Sequence, residues 1–187
     1  MYDILIVGAG PAGASAALFA AKAGKQTLVL DHDKSITKKA WIKNHYGVPE
    51  IDGPELVAIG KKQAAEFGAK IVEGEALTIK KADEGFSVET ENGVFEAKHI
   101  ILATGLSIDL AEKLGVKTKD GSEPRIKRVI DADHNGRTSI EGVWAAGTCA
   151  NVSVHTIITA GDGAKVAINV LSELNGERYV DHDLLKS

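Results

Sequence analysis

The sequence predicts a single α/β domain over residues 1–187, with a mostly parallel sheet and an inserted antiparallel hairpin. Three features carry that expectation. Three apolar, strand-like runs each stop at glycine: Ile6-Val7-Gly8, Leu102-Ala103-Thr104-Gly105 and Trp144-Ala145-Ala146-Gly147. Short β-type runs alternate with longer helical segments, as crossover-connected strands require. Between them, residues 86–90 and 94–97 alternate apolar with polar around Asn92-Gly93, a hairpin signal.

The first run, from Ile4 to Val7, passes into Gly8-Ala9-Gly10-Pro11-Ala12-Gly13. This spacing serves a tight turn at Gly8, close backbone approach to a phosphate at Gly10 and close helix–strand packing at Gly13. Pro11 suits a first helical position, where its missing N–H is not needed. The Ala-rich helix over residues 12–23, stopped by Gly24, then aims free N–H groups and a positive dipole end at an anion. A second β-type run, Thr27 to Leu30, ends in Asp31, 18 residues past Gly13. That is close to the spacing at which a carboxylate hydrogen-bonds an adenosine ribose. The unit reads as a dinucleotide-binding βαβ, with His32 expected beside the adenine.

Residues 33–46 are polar and lysine-rich and read as an excursion rather than an element. Leu56, Ile59 and residues 63–67 recur at helical spacing over 53–67, and Gly68 ends the helix. Residues 70–72 and 76–79 suggest strands, and residues 99–103 a fully buried one. Residues 106–139 are mixed and polar, with a short helix near 109–114. A buried strand follows at 143–146, and a last helix over 156–174 stops at Asn175-Gly176.

Bulk composition narrows the partners. Hydrophobic residues make up 44% and charged residues 26%, an ordinary globular balance, and the net charge of −4 gives no electrostatic case for nucleic acid or anionic membrane. No apolar run approaches the roughly 20 residues that span a bilayer. The first strand begins almost at Met1, so no leader is expected, and the lone Cys149 forms no internal disulfide. The expected location is cytoplasmic.

The ordered motifs together resemble the FAD domain of the low-molecular-weight thioredoxin reductases. The Gly8–Gly13 turn resembles that family's first motif. Asn44-His45-Tyr46-Gly47 with Ile51-Asp52-Gly53-Pro54-Glu55-Leu56 resembles its Asn-x-Pro-Gly and Gly-x-Glu-Leu segment, and Glu66-Phe67-Gly68-Ala69 continues the match. Ala103-Thr104-Gly105 resembles its Ala-Thr-Gly strand end. Residues 141–147 resemble the late FAD motif, and residues 157–163 the helix after it. The resemblance implies a Rossmann-like FAD/NAD(P)-binding fold with FAD as cofactor. It implies cofactor contacts at Gly8, Gly10, Pro11, Ala12, Gly13, Asp31, His32, Asn44, Ala76, Ala103, Thr104 and Gly105, then Gly147, Thr148, His155 and Thr156. It also places the start of the last helix against the flavin pyrimidine, where the dipole would favour negative charge.

The departures from that family are equally specific. Its reductases carry a nicotinamide-binding domain between the Ala-Thr-Gly strand and the late motif, where this chain has 35 residues, 106–140. A single βαβ unit needs about 30, so a complete second domain does not fit. There is no second GxGxxG, and one cysteine excludes a Cys-x-x-Cys pair, so the chain is not expected to be a self-sufficient disulfide reductase. The family's Gly-Asp is Gly147-Thr148 here, exchanging a carboxylate for a weaker hydroxyl. Its Gly-Gly-Gln loop is replaced by Asp33-Lys34-Ser35.

Other residues carry a sharp and a plain reading. Cys149 could be a redox thiol, though a lone buried cysteine is commonly packing. His155 and His45 could meet the cofactor or shuttle protons. Asp181-His182-Asp183 lacks the partner cluster of a metal site, and no metal is expected. Trp41 and Trp144 read as packing residues, and the four lysines of 34–43 as a solvated loop. No catalytic acid, base or nucleophile stands out. The leading expectation is therefore a stand-alone FAD-binding redox protein that draws electrons from free NAD(P)H or a partner reductase. A homodimer or partner would cover apolar surface that the missing domain would otherwise shield. A non-catalytic nucleotide-binding or sensing module is the alternative. An NAD-dependent dehydrogenase comes third, because it explains neither of the later glycine-ended strands.

Overall fold

The computed structural model describes residues 1–185. Strand β1 (Tyr2–Val7) feeds helix α1 (Pro11–Lys22), and the chain returns through β2 (Thr27–Asp31). A 3-10 turn (Ile36–Lys39) precedes a two-residue antiparallel ladder of β3 (Trp41–Ile42) and β4 (Ile51–Asp52). Helix α2 (Gly53–Glu66) follows, capped by the Asp52 carboxylate, which accepts the Glu55 amide at 2.8 Å. Next come β5 (Lys70–Glu73), then β6 (Ala76–Lys81), β7 (Phe86–Thr90) and β8 (Gly93–Leu102) as an antiparallel meander. Helix α3 (Asp109–Leu114) and a small ladder of β9 (Thr118–Asp120) with β10 (Arg128–Ile130) lead to β11 (Val143–Ala145). The last helix, α4 (Thr156–Asn175), ends at a left-handed Gly176.

The main sheet has seven strands, in the order β5-β2-β1-β8-β7-β6, with β11 paired to β8. Strands β5, β2, β1, β8 and β11 are parallel. β8 is long enough to serve two neighbours on one edge: β7 lies along residues 93–97 and β11 along residues 100–102. The register aligns Leu30, Val7, Leu102 and Ala145 in one row across the sheet. The residues just past that row, among them Gly8, Asp31, Ala103 and Ala146, therefore emerge together at its carboxyl edge.

The two-residue period of a strand sorts β1 into two cores. Ile4 and Ile6 join Val29, Ile101 and Trp144 beneath α1 and α4. Leu5 and Val7 join Leu28, Leu30, Ile100 and Leu102 on the other face, covered by Ile79, Phe86 and Val88 of the meander and Leu110 of α3. No helix among the described residues is long and apolar enough to cross a membrane.

Four expectations are corrected. The polar segment 33–46 contains the 3-10 turn and β3, because Ile42 is buried and pairs with Ile51. The hairpin arm at 94–97 and the buried strand at 99–103 are one continuous strand, since β1 and β7 bracket β8 without a break at Lys98. Residues 106–139 hold the β9–β10 ladder as well as the helix; its short strands carry too little apolar pattern to be read. Trp144 is packed at 1% exposure, but Trp41 is 69% exposed, its indole donating to Glu50 with Lys43 over its ring.

Candidate dinucleotide-binding cleft

The carboxyl edge of the sheet opens into a cleft of about 260 Å³. Its floor is the turn from β1 into α1. Gly8 takes φ +102° and donates its N–H to the Leu30 carbonyl at 2.8 Å. A Cβ there would overlap the Ala103 carbonyl, and one on Gly13 would overlap the Gly8 carbonyl. The two glycines thus draw β1, α1 and the end of β8 together. Gly10 is the N-cap of α1, extended, with no side-chain cap and no acidic residue in the first turn after Pro11. The first-turn amides of α1 have no intrahelical partner, so this terminus presents donors and a positive dipole end to an anion.

Gly8, Gly10, Pro11, Ala12, Asp31, His32, Ala103, Thr104, Gly105 and Thr148 all line this cleft. Gly13 sits behind it as packing, and Gly147 lies under its rim, where a Cβ would come within 2.8 Å of the Ala12 methyl. A second group gathers at the start of α4. His45 Nδ1 lies 3.0 Å from Thr156 Oγ1, which brings the Asn44-His45 loop against the first turn of that helix. His155 is its N-cap, exposed, with Nδ1 2.8 Å from Ser153 Oγ. An apolar groove of about 140 Å³ beside this group shares Gly10 and Pro11 with the cleft. Asn44, His155 and Thr156 are thus adjacent to the cleft without lining it. Ala76 joins neither group; it begins β6 and packs on the meander side of the sheet.

The Asp31 carboxylate is nearly buried, at 9% side-chain exposure, and is held from two sides. Oδ1 accepts the Asp33 amide and Oδ2 accepts Lys61 Nζ, both at 2.9 Å. The hydrogen bond to Asp31 holds the Lys61 ammonium above the ordinary lysine range. Sequence reading missed Lys61 because it lies 30 positions away on a helix with no motif of its own. His32 Nδ1 accepts the Lys34 amide at 3.0 Å, which makes that nitrogen the unprotonated one.

Cys149 is buried at 1% exposure, its thiol pointing to the Leu102 and Ala146 carbonyls, and burial pushes that thiol up. A buried, protonated thiol is a poor nucleophile. Among the described residues no group of three or more His, Cys, Asp or Glu side chains could hold a metal. In the tail, Asp181 and Asp183 pair instead with Lys22, at 3.0 and 2.6 Å.

The family described as pyridine nucleotide-disulphide oxidoreductase matches residues 2–107 and 50–164. A thioredoxin reductase of Peptoclostridium litorale is 36% identical over 137 residues, covering 71% of this chain and 44% of the relative. One from Aquifex aeolicus is 41% identical over 112 residues, covering 56% of this chain and 34% of the relative. The chain therefore spans less than half the length of these relatives. Among solved structures, the atypical thioredoxin reductase TRi from Desulfovibrio vulgaris Hildenborough superposes with a TM-score of 0.85 at 22% identity, covering 95% of this chain and 99% of the other. That likeness is one of fold.

Proposed function

The chain belongs to the pyridine nucleotide-disulphide oxidoreductase family, and on that footing we propose that it binds FAD and acts as a redox flavoprotein served by an external electron donor. The observation that carries the reading is the uncapped, acid-free start of α1, which opens on the cleft between Asp31 and Thr104. The donor set fits the cofactor: first-turn amides for the pyrophosphate, the Asp31 carboxylate for the ribose, and Thr148 for the chain beyond it. At about 260 Å³ the cleft is smaller than a pocket for a whole drug-sized ligand, roughly 300–1,000 Å³. It suits the adenosine diphosphate half, and the flavin half would lie by Asn44, His155 and Thr156.

The start of α4, like that of α1, has no side-chain cap and no acidic first-turn residue. Its dipole would favour negative charge developing on a ring placed there. FAD, when bound, supplies the electron-transfer chemistry; the protein supplies orientation, exclusion of water and this local field. Residues 106–140 are too few for a complete nicotinamide-binding unit, which supports free NAD(P)H or a partner reductase as the electron source. Thioredoxin is not assigned as the acceptor, because the chain holds one cysteine and it is buried.

The buried Cys149 also favours a second reading, a nucleotide-binding or sensing module that holds FAD without turnover. A visible absorbance spectrum before and after FAD, then with NADH or NADPH, separates the two. Flavin bands that bleach with either nucleotide support the redox reading. Bands that persist with every donor support the sensing module. No flavin signal, even with added FAD, overturns both.

A further inference from the structure

The pair formed by Asp31 and Lys61 points past cofactor identity to how the adenosine end is held. Asp31 lines the cleft and Lys61 does not. Lys61 reaches Asp31 Oδ2 from behind, off α2, at 2.9 Å, and continues to Asp33 Oδ1 at 3.4 Å. Its side chain is 28% exposed, so it adds countercharge beside a carboxylate that is almost out of water. An ionised carboxylate offers about four acceptor positions. The Asp33 amide and the Lys61 ammonium take one on each oxygen, which fixes the plane of the group and leaves the others for a ligand.

We propose that Lys61 is the positioning residue for the nucleotide's adenosine end: it orients Asp31 from behind the cleft, so that the free acceptor positions of that carboxylate receive the ribose hydroxyls. This rests on the FAD reading above. Lys61 touches no cofactor atom in this account; it acts through Asp31. A carboxylate deprived of its cation would turn toward solvent, and the ribose would lose an aimed acceptor. The effect is therefore confined to ligands that carry the adenosine half.

The test is the binding of FAD, ADP and FMN to the wild-type chain, Lys61→Met and Lys61→Gln, with thermal unfolding of each protein alongside. FMN shares the flavin but lacks the adenosine half, and ADP lacks the flavin. The expected result is about tenfold weaker FAD and ADP binding in Lys61→Met, as for a lost hydrogen bond to a charged group, a smaller loss in Lys61→Gln, which keeps a donor but not the charge, and FMN binding unchanged in both. Equal weakening of all three ligands would mean that Lys61 merely holds α2 to the sheet, and would overturn the proposal. So would FAD and ADP binding equal to wild type in either variant that folds. Failure of the wild-type chain to bind FAD at all is a different outcome: it removes the flavoprotein reading itself, and this role with it.

Discussion

The Asp162 carboxylate, one turn and a half into α4, accepts the backbone N–H of Gly147 at 2.7 Å. An acid thus stands beside the glycine that ends the late strand, although the position after that glycine is Thr148. It does so from the side away from the cleft, where its other oxygen meets Lys165 Nζ at 2.6 Å. Its work is structural, fixing the left-handed Gly147 turn that carries Thr148 to the cleft. Asp162→Ala leaves a buried amide without its acceptor and is expected to cost about 2 kcal/mol. Asp162→Asn keeps an acceptor oxygen and should lose less. Urea unfolding of the two variants checks the order.

Two glycines of α4, two residues apart, should respond in opposite directions to the same change. A Cβ on Gly163 would overlap the Ala12 carbonyl, so Gly163→Ala must push α4 off α1. A loss of about 1–3 kcal/mol is expected, as for overpacked cores. Gly161 is exposed and a Cβ there meets nothing within 4 Å. Gly161→Ala should therefore stabilise by about 0.5–1 kcal/mol, through helix propensity alone. Melting temperatures of the pair decide it, and equal responses would mean that the helices are not in this close contact.

The difference between these positions explains what the sequence could and could not disclose. The glycine-ended strands and the Gly8–Gly13 turn were legible because each needs its residue for local backbone reasons, visible without a partner. The same holds for the hairpin that Asn92-Gly93 signals, although its two-residue loop is Glu91-Asn92, because Thr90 pairs with Gly93. Lys61 and Asp162 act across 30 and 15 residues respectively, and nothing local marks either. Ile42 and β3 were hidden inside a lysine-rich run, since two residues do not make a period. Trp41 was misjudged because aromatic size suggests burial, whereas its indole is satisfied at the surface by Glu50.

His99 gives the fold a pH dependence of predictable sign. Trp144 Nε1 donates to His99 Nδ1 at 3.2 Å, so that nitrogen must be unprotonated in the folded state. Burial, the main cause, holds the imidazole below its ordinary value of 6.5. The unfolded chain then binds the proton first. Stability from this group is complete above that value and is lost as the pH falls through it toward the lower folded value. Urea unfolding across that range should show the decline, with a matching change in Trp144 fluorescence. His99→Asn should flatten the dependence; an unchanged profile would exclude His99 as its source.

Cys149 is expected to be chemically silent in the folded protein. Its thiol is buried, is pushed up by that burial and faces two carbonyls. Thiol-specific reagents should therefore label it only after unfolding. Cys149→Ala, which leaves a small cavity, should bind FAD and be reduced at the wild-type rate. Labelling of the native protein together with loss of reduction in that variant would return Cys149 to the redox chemistry.

Gly10 offers the sharpest test of where the cofactor's pyrophosphate lies. Its backbone is extended, at φ −68° and ψ −175°, which any residue can adopt. The nearest atom a Cβ would meet is Ser35 Oγ at 3.0 Å, the end of a rotatable side chain. Gly10→Ala should consequently fold with a melting temperature close to wild type. Gly13→Ala, by contrast, would drive a Cβ into the Gly8 carbonyl and should not. The methyl in Gly10→Ala would nonetheless stand at the mouth of α1, between the first-turn amides and any anion approaching them. FAD affinity is expected to fall by more than about tenfold, or roughly 1.4 kcal/mol, as measured by flavin fluorescence. A folded Gly10→Ala protein that binds FAD as wild type does would mean that the α1 terminus is not the phosphate site, and the cofactor would have to be sought along α4 instead.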